Sequence, residues 1–214
     1  MSLDTRPSNP FRSATTRPGR LPYQTTSGDL RQLLTACCHA LAQQRQSAII
    51  GPHGSGKSTL LAHLLPALRE GKLTAWAPKD IQRLTWHVGQ TPTEFPHTLE
   101  QLSPGGLLVI DGFEQCGWLQ KLTIMKRCKQ TQSHLLVTAH RPLRRFYTLL
   151  TTAADRAAAF DLFKILLQET PQYASAMEDR FTQRWQQSEG NFRQLWSMLY
   201  DDFEKLVQTS KASE

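Results

Sequence analysis

Gly51-Pro52-His53-Gly54-Ser55-Gly56-Lys57-Ser58 is the stretch that decides how this chain is read. It satisfies the pattern G-x-x-x-x-G-K-[ST] in full and stands between two segments of opposite character. Before it, Ser47 to Ile50 is a short apolar strand. After it, Leu60, Leu61, Leu64, Leu65 and Leu68 form one helical stripe that Gly71 closes. Glycines let such a loop curl until its backbone N–H groups point inward at phosphate oxygens. A helix starting near Lys57 adds its positive end. The whole run is therefore expected to bind the phosphates of a nucleotide, with Lys57 reaching the β- and γ-phosphates and Ser58 ligating magnesium.

Working outward, the continuous apolar run Leu107-Leu108-Val109-Ile110 reads as a strand buried on both faces of a parallel sheet, and it ends in Asp111. That strand is expected beside the phosphate-loop strand, where the Asp111 carboxylate would hold magnesium directly or through water. Glu114, just past the strand end, is the candidate to orient the attacking water. A solvated glutamate favoured by the dipole of the following helix is the plainer alternative. A third buried strand, Leu135-Leu136-Val137, leads into Thr138-Ala139-His140-Arg141-Pro142. The carboxyl ends of strands in an open α/β sheet face the ligand crevice, so Thr138, His140 or Arg141 is expected to sense the γ-phosphate.

Strand and helix alternate from residue 47 onward, which predicts an α/β sheet layered with helices. The spacing gives helices over about 29–46, 93–102, 155–168, 175–188 and 191–208, one through Leu119, Ile124 and Met125, and strands over 73–77, 134–138 and 146–151. Pro104-Gly105-Gly106 is a turn. Three parts follow: a tail over 1–26, an α/β core over 27–170, and a C-terminal helical lid over 171–214. The tail holds four prolines, four arginines and few apolar residues, so it is expected to be disordered or draped over the domain, with packing beginning near Leu21-Pro22-Tyr23.

These elements together resemble the P-loop ATPases of the AAA+ and STAND groups. Ile110-Asp111-Gly112-Phe113-Glu114-Gln115 is similar to the D-G-x-D/E form of NACHT-type STAND ATPases, and Thr138-Ala139-His140-Arg141-Pro142 to their T-S-R-P sensor strand with one extra residue. Gly190-Asn191-Phe192-Arg193 resembles the second sensor of the AAA+ helical lid, which would bring Arg193 to the γ-phosphate. The resemblance covers residues 47 to about 205 and implies a P-loop NTPase fold, a parallel sheet flanked by helices in three layers with a small helical lid, binding ATP with Mg2+. Two departures count. Gly112 stands where most AAA+ proteins carry their catalytic glutamate, so that role passes to Glu114 or is lost. The long repeat regions of STAND proteins have no counterpart here. With no adjacent glutamate and no assigned arginine finger, hydrolysis is expected to be slow.

Hydrophobic residues at 39% and charged residues at 20% fit an ordinary globular core. No apolar run reaches the roughly 18 residues a membrane-spanning helix needs, and the first 25 residues hold no secretory h-region. Cysteines 37, 38, 116 and 128 form neither a disulfide framework nor a zinc pattern and are read as reduced core residues of a cytoplasmic protein. The net charge of +7 permits a polyanionic partner without demanding one. Between Glu114 and Asp155 there are seven Lys or Arg and no acidic residue. A solvated helix face explains most of them. Arg144 or Arg145 as an arginine finger in a homo-oligomer or toward a protein partner is one alternative. A nucleic-acid backbone contact is another, not favoured because no base-reading module is visible. A guanine-reading N-K-x-D is missing, which favours ATP.

Overall fold

The computed structural model describes residues 7–25, 28–74 and 76–212. Its elements run in the order α1 (Ser13–Thr16), α2 (Leu30–Gln43), β1 (Gln46–Ile50), α3 (Lys57–Glu70), β2 (Ile81–Thr85), α4 (Phe95–Gln101), β3 (Leu107–Asp111), α5 (Trp118–Gln130), β4 (His134–Ala139), β5 (Tyr147–Thr151), α6 (Arg156–Leu167), α7 (Ala174–Gln187) and α8 (Phe192–Ala212). Short 3-10 turns cover Phe113–Gln115 and Pro171–Tyr173. The described residues form two compact units. One comprises 25–53 and 57–153; the other comprises residues up to 24, 54–56, and 154 onward.

The first unit holds a five-stranded, all-parallel sheet in the order β2-β3-β4-β1-β5, flanked by helices. Side chains alternate between the faces of a strand with period two. On one face, Ala48 and Ile50, Leu108 and Ile110, and Leu135 and Val137 build a core with Leu99 of α4 and Ile124 and Cys128 of α5. The residues between them, Ile49, Val109 and Leu136, are equally buried, which is why these three strands read as unbroken apolar runs. Leu34, Cys37, Cys38 and Leu41 of α2, and the leucine stripe of α3, are buried in the same unit. Asp29 caps α2 by accepting from the Gln32 N–H.

Three expectations need correction. The strand predicted over 73–77 is not one: residue 75 lies outside the described residues and the others carry no strand, while the true second strand is Ile81–Thr85. It lies at the sheet edge and buries one residue, Leu84, so it lacks the apolar signature that betrays a central strand. The strand ending in Asp111 does not lie beside the phosphate-loop strand either. β4 is inserted between β3 and β1, pairing in parallel with both. The first helix stops at Gln43 rather than near 46, because Gln46 already belongs to β1.

The second unit is helical, and its core is aromatic. Phe163, Phe181, Trp196 and Phe203 are buried with Met177, Leu195 and Leu199. Phe11 enters that core, with its ring stacked on Phe163 and Trp196 and edge-on to Phe203. Asn9 Nδ2 donates to the Tyr200 carbonyl and to Glu204 Oε1, at 3.0 and 2.7 Å. Among the described residues the N-terminal segment is therefore already packed at Asn9, well before Leu21; residues 1–6 and 26 of the expected tail lie outside the described residues. Helices α7 and α8 are clamped by Arg184, which donates to both oxygens of Asp202 at 2.7 and 2.9 Å. Among the described residues no helix is long and apolar enough to cross a membrane.

Candidate functional site

Parallel strands put all their carboxyl ends on one edge of the sheet, and the predicted site residues of the first unit are drawn from that edge. The phosphate loop leaves β1 at Ile50, and the Gly51 N–H donates to the Ala139 carbonyl at 3.1 Å, tying the start of the loop to the end of β4. Lys57 opens α3 and is buried; its Nζ donates to the carbonyls of Gly51 and Pro52 at 2.7 and 2.6 Å. The loop thus curls round its own ammonium. Ser58 follows, half-buried in the first turn of α3, and His53 is exposed. Residues 54–56 count with the helical unit. There Gly54, at φ +70°, accepts the Phe192 N–H at 3.3 Å, and a Cβ on it would stand 2.0 Å from Asn191 Oδ1.

Asp111 ends β3 with 8% exposure. Its Oδ1 accepts from the Thr138 hydroxyl at 2.8 Å, and its Oδ2 accepts from Arg83 Nη2 at 3.2 Å. The Thr138 hydroxyl in turn accepts the Gly112 N–H at 2.8 Å. Inserting β4 between β1 and β3 therefore brings Thr138 onto the carboxylate, a contact the sequence did not disclose. Arg83 was missed altogether. It sits two residues before Thr85, the register partner of Asp111, and so shares a sheet face with it. Recognising β2 would have exposed that signal.

Gly112 shows why this chain has no glutamate directly after Asp111. Its φ is +90°, and a Cβ there would lie 2.6 Å from the Trp86 carbonyl oxygen. The Trp86 N–H donates to the Asp111 carbonyl at 2.7 Å, which locks that backbone in place. No side chain fits. The 3-10 turn Phe113–Gln115 instead carries Glu114, whose Oε1 lies 3.1 Å from His140 Nε2 just beyond β4. The other oxygen of Glu114, Oε2, is buried without a hydrogen-bond partner. Burial pushes the His140 imidazole below its ordinary pKa; Glu114 opposes this, while His53 and Lys57 add to it.

Arg141, the next residue along, is exposed. Arg193 belongs to the helical unit and is exposed in the first turn of α8, where Asn191 Oδ1 caps the helix by accepting from the N–H groups of Arg193 and Gln194. The four cysteines are buried, and burial pushes their thiols up to about 11 for Cys37 and Cys38 and about 12 for Cys116 and Cys128. They are protonated and inert, as core residues should be.

The donor set suits a nucleotide with magnesium. Among the described residues no cluster of three or more His, Cys, Asp or Glu could cage a metal by itself. Magnesium is commonly held through one or two protein oxygens, water and phosphate. Ser58 and Asp111 are such oxygen donors. Each Asp111 oxygen has two acceptor positions and one protein donor, leaving capacity for a metal-bound water.

No family model matches the chain, and no curated protein matches it. Among solved structures, a RuvB variant from Thermotoga maritima, a AAA+ P-loop ATPase, superposes with a TM-score of 0.53 at 16% identity. The match covers 87% of this chain and 64% of that one, so the likeness spans somewhat under two thirds of the RuvB chain. At that identity it shows the fold alone, a five-stranded parallel sheet flanked by helices that matches a P-loop NTPase fold.

Proposed function

We propose that this protein is a slow, magnesium-dependent ATPase of the AAA+/STAND type. The observation that carries the reading is the convergence at one sheet edge of Lys57, Asp111 with Thr138, and Glu114, around a Gly112 that admits no side chain. In this reading the loop Gly51–Ser58 cradles the phosphates and Lys57 exchanges its carbonyl partners for the β- and γ-oxygens. Ser58 and Asp111 hold magnesium, Thr138 fixes the Asp111 carboxylate, and Glu114 orients the attacking water and takes its proton. Bound magnesium supplies charge neutralisation on the β- and γ-phosphates. Arg141 is exposed and serves as a γ-phosphate contact. Slow turnover, on the order of 10⁻² s⁻¹ or below, follows from the lack of an assigned arginine finger. A cytoplasmic protein acting on a protein partner or as a homo-oligomer fits the reduced, inert cysteines.

A nucleotide-gated switch is the second reading. The tip of the loop, residues 54–56, counts with the helical unit, and the Phe192 N–H bonds Gly54. Phosphate on the loop would then be felt directly by that unit.

Titration with a fluorescent ATP analogue tests both readings at their root. The wild type should bind in the micromolar range and need magnesium for full affinity. Lys57→Ala should weaken binding at least about tenfold, or about 1.4 kcal/mol. Equal affinity in the two proteins would remove the phosphate loop from the account.

A further inference from the structure

The side chains of two histidines of the first unit have no assigned role in that reading, yet they lie in contact. His140 stands one residue past β4, with its Nε2 3.1 Å from Glu114 Oε1. Its other neighbour is His53, the third residue of the phosphate loop, with ring centroids 3.7 Å apart and an interplanar angle of 59°. The His140–Glu114 pair is half-buried, with side chains 26% and 25% exposed, whereas His53 is exposed. Burial favours the neutral form of the His140 ring, against the opposing pull of Glu114. A neutral ring protonated on Nε2 donates one hydrogen bond to a carboxylate without cancelling its charge. Glu114 is thereby held by one oxygen, while Oε2 is buried and uncommitted. That is the arrangement a group needs if it is to be aimed at a water and accept its proton.

On the other side, His53 belongs to the loop backbone, between Pro52, whose ring restricts its own φ, and Gly54, which sits at φ +70°. Any rearrangement of the loop around phosphate shifts the His53 backbone and with it the ring against His140.

We infer that His140 is a positioning residue for Glu114, and that His53 passes the state of the phosphate loop to it through the tilted contact of the two rings. This rests on the reading of Glu114 as the group that orients the attacking water. His140 acts on the reaction through Glu114 alone. The coupling gives the chain a way to align its base only when the loop is filled.

The test uses the full chain with His140→Ala, His140→Gln, His53→Ala and Glu114→Gln, alone and with His140→Ala combined with Glu114→Gln. Three quantities are read: single-turnover hydrolysis of MgATP, affinity for a fluorescent ATP analogue, and the ring ¹⁵N–¹H resonances of His140. His140→Ala should slow the single turnover about 10- to 100-fold while affinity stays within about twofold. His140→Gln, which keeps a neutral N–H donor, should recover most of the rate. The double variant should be no slower than Glu114→Gln. A His140→Ala protein as fast as the wild type, or faster, beside a stalled Glu114→Gln would overturn the positioning role and leave Glu114 as base. A Glu114→Gln protein that hydrolyses at the wild-type rate would remove the base reading and this proposal with it. The resonances decide the matter even where turnover is too slow to measure. They should shift on Glu114→Gln and on adding MgADP, and in His53→Ala the response to MgADP should vanish while the pairing with Glu114 persists. Resonances indifferent to Glu114→Gln would overturn the pairing, and an undiminished MgADP response in His53→Ala would overturn the relay.

Discussion

Two aspartates, one in each unit, are buried beside arginine, and their oxygens are satisfied to different degrees. Asp202 on α8 is 2% exposed and receives the Arg184 guanidinium on both oxygens, with Arg180 3.6 Å away. The Arg184 hydrogen bonds hold its carboxyl below the usual carboxylate range and raise the Arg184 pKa in turn. Fork-to-fork pairing of this kind saturates the carboxylate and fixes one geometry. Asp111 at the end of β3 is nearly as buried, but Arg83 reaches it with a single nitrogen at 3.2 Å and Thr138 supplies one hydroxyl. Its acceptor capacity is half spent. A saturated carboxylate clamps two helices. A half-satisfied one at the carboxyl edge of a parallel sheet is available to a cation.

The comparison breaks most visibly at Asp111. Asp111→Asn should cut phosphate release from MgATP by at least about 100-fold, or about 3 kcal/mol in the barrier, yet change unfolding free energy by less than about 1 kcal/mol, because Arg83 is a third exposed and stays solvated. A variant that unfolds instead would make Asp111 a structural clamp like Asp202. Gly112→Ala comes next. With φ at +90° and the Trp86 carbonyl 2.6 Å from the new Cβ, it should lose about 2 kcal/mol or more in urea unfolding. An unperturbed Gly112→Ala would mean that space for a side chain at this position exists after all.

Asp202→Asn should show the reverse of Asp111→Asn, costing about 2 kcal/mol of stability through the weakened charge-assisted bonds while nucleotide affinity is kept. Its acid behaviour sharpens the contrast. The folded pKa of Asp202 is depressed, so its contribution is fully present above the unfolded value of about 3.9 and is lost as pH falls through the folded value. Wild-type stability should therefore fall more steeply than that of Asp202→Asn as pH drops below about 4. Parallel curves would show that the clamp stores no proton-linked stability.

Much of this was readable in advance, and the failures have physical causes. The phosphate loop, the buried strands β1, β3 and β4 and the later helices declare themselves through local pattern, because burial on both faces or on one stripe leaves a period in the sequence. β2 did not, since an edge strand buries only Leu84, and a more apolar run at 73–77 outcompeted it. Strand order did not either. The insertion of β4 between β1 and β3 is a matter of crossovers, and it brings Thr138 to Asp111 across 27 residues of chain. The pairing of His140 with Glu114 likewise depends on that order. Phe11 was passed over because one aromatic in a polar, proline-rich segment carries no periodicity, although it enters the helical core.

The most direct test of the central claim is phosphate release from MgATP by the wild type beside Glu114→Gln, with nucleotide affinity measured in both. The account predicts slow but measurable release by the wild type, and a variant that binds ATP equally well and stalls by about 100-fold or more. Equal release from the two proteins would contradict it, because the catalytic role proposed for Glu114 would then be lost.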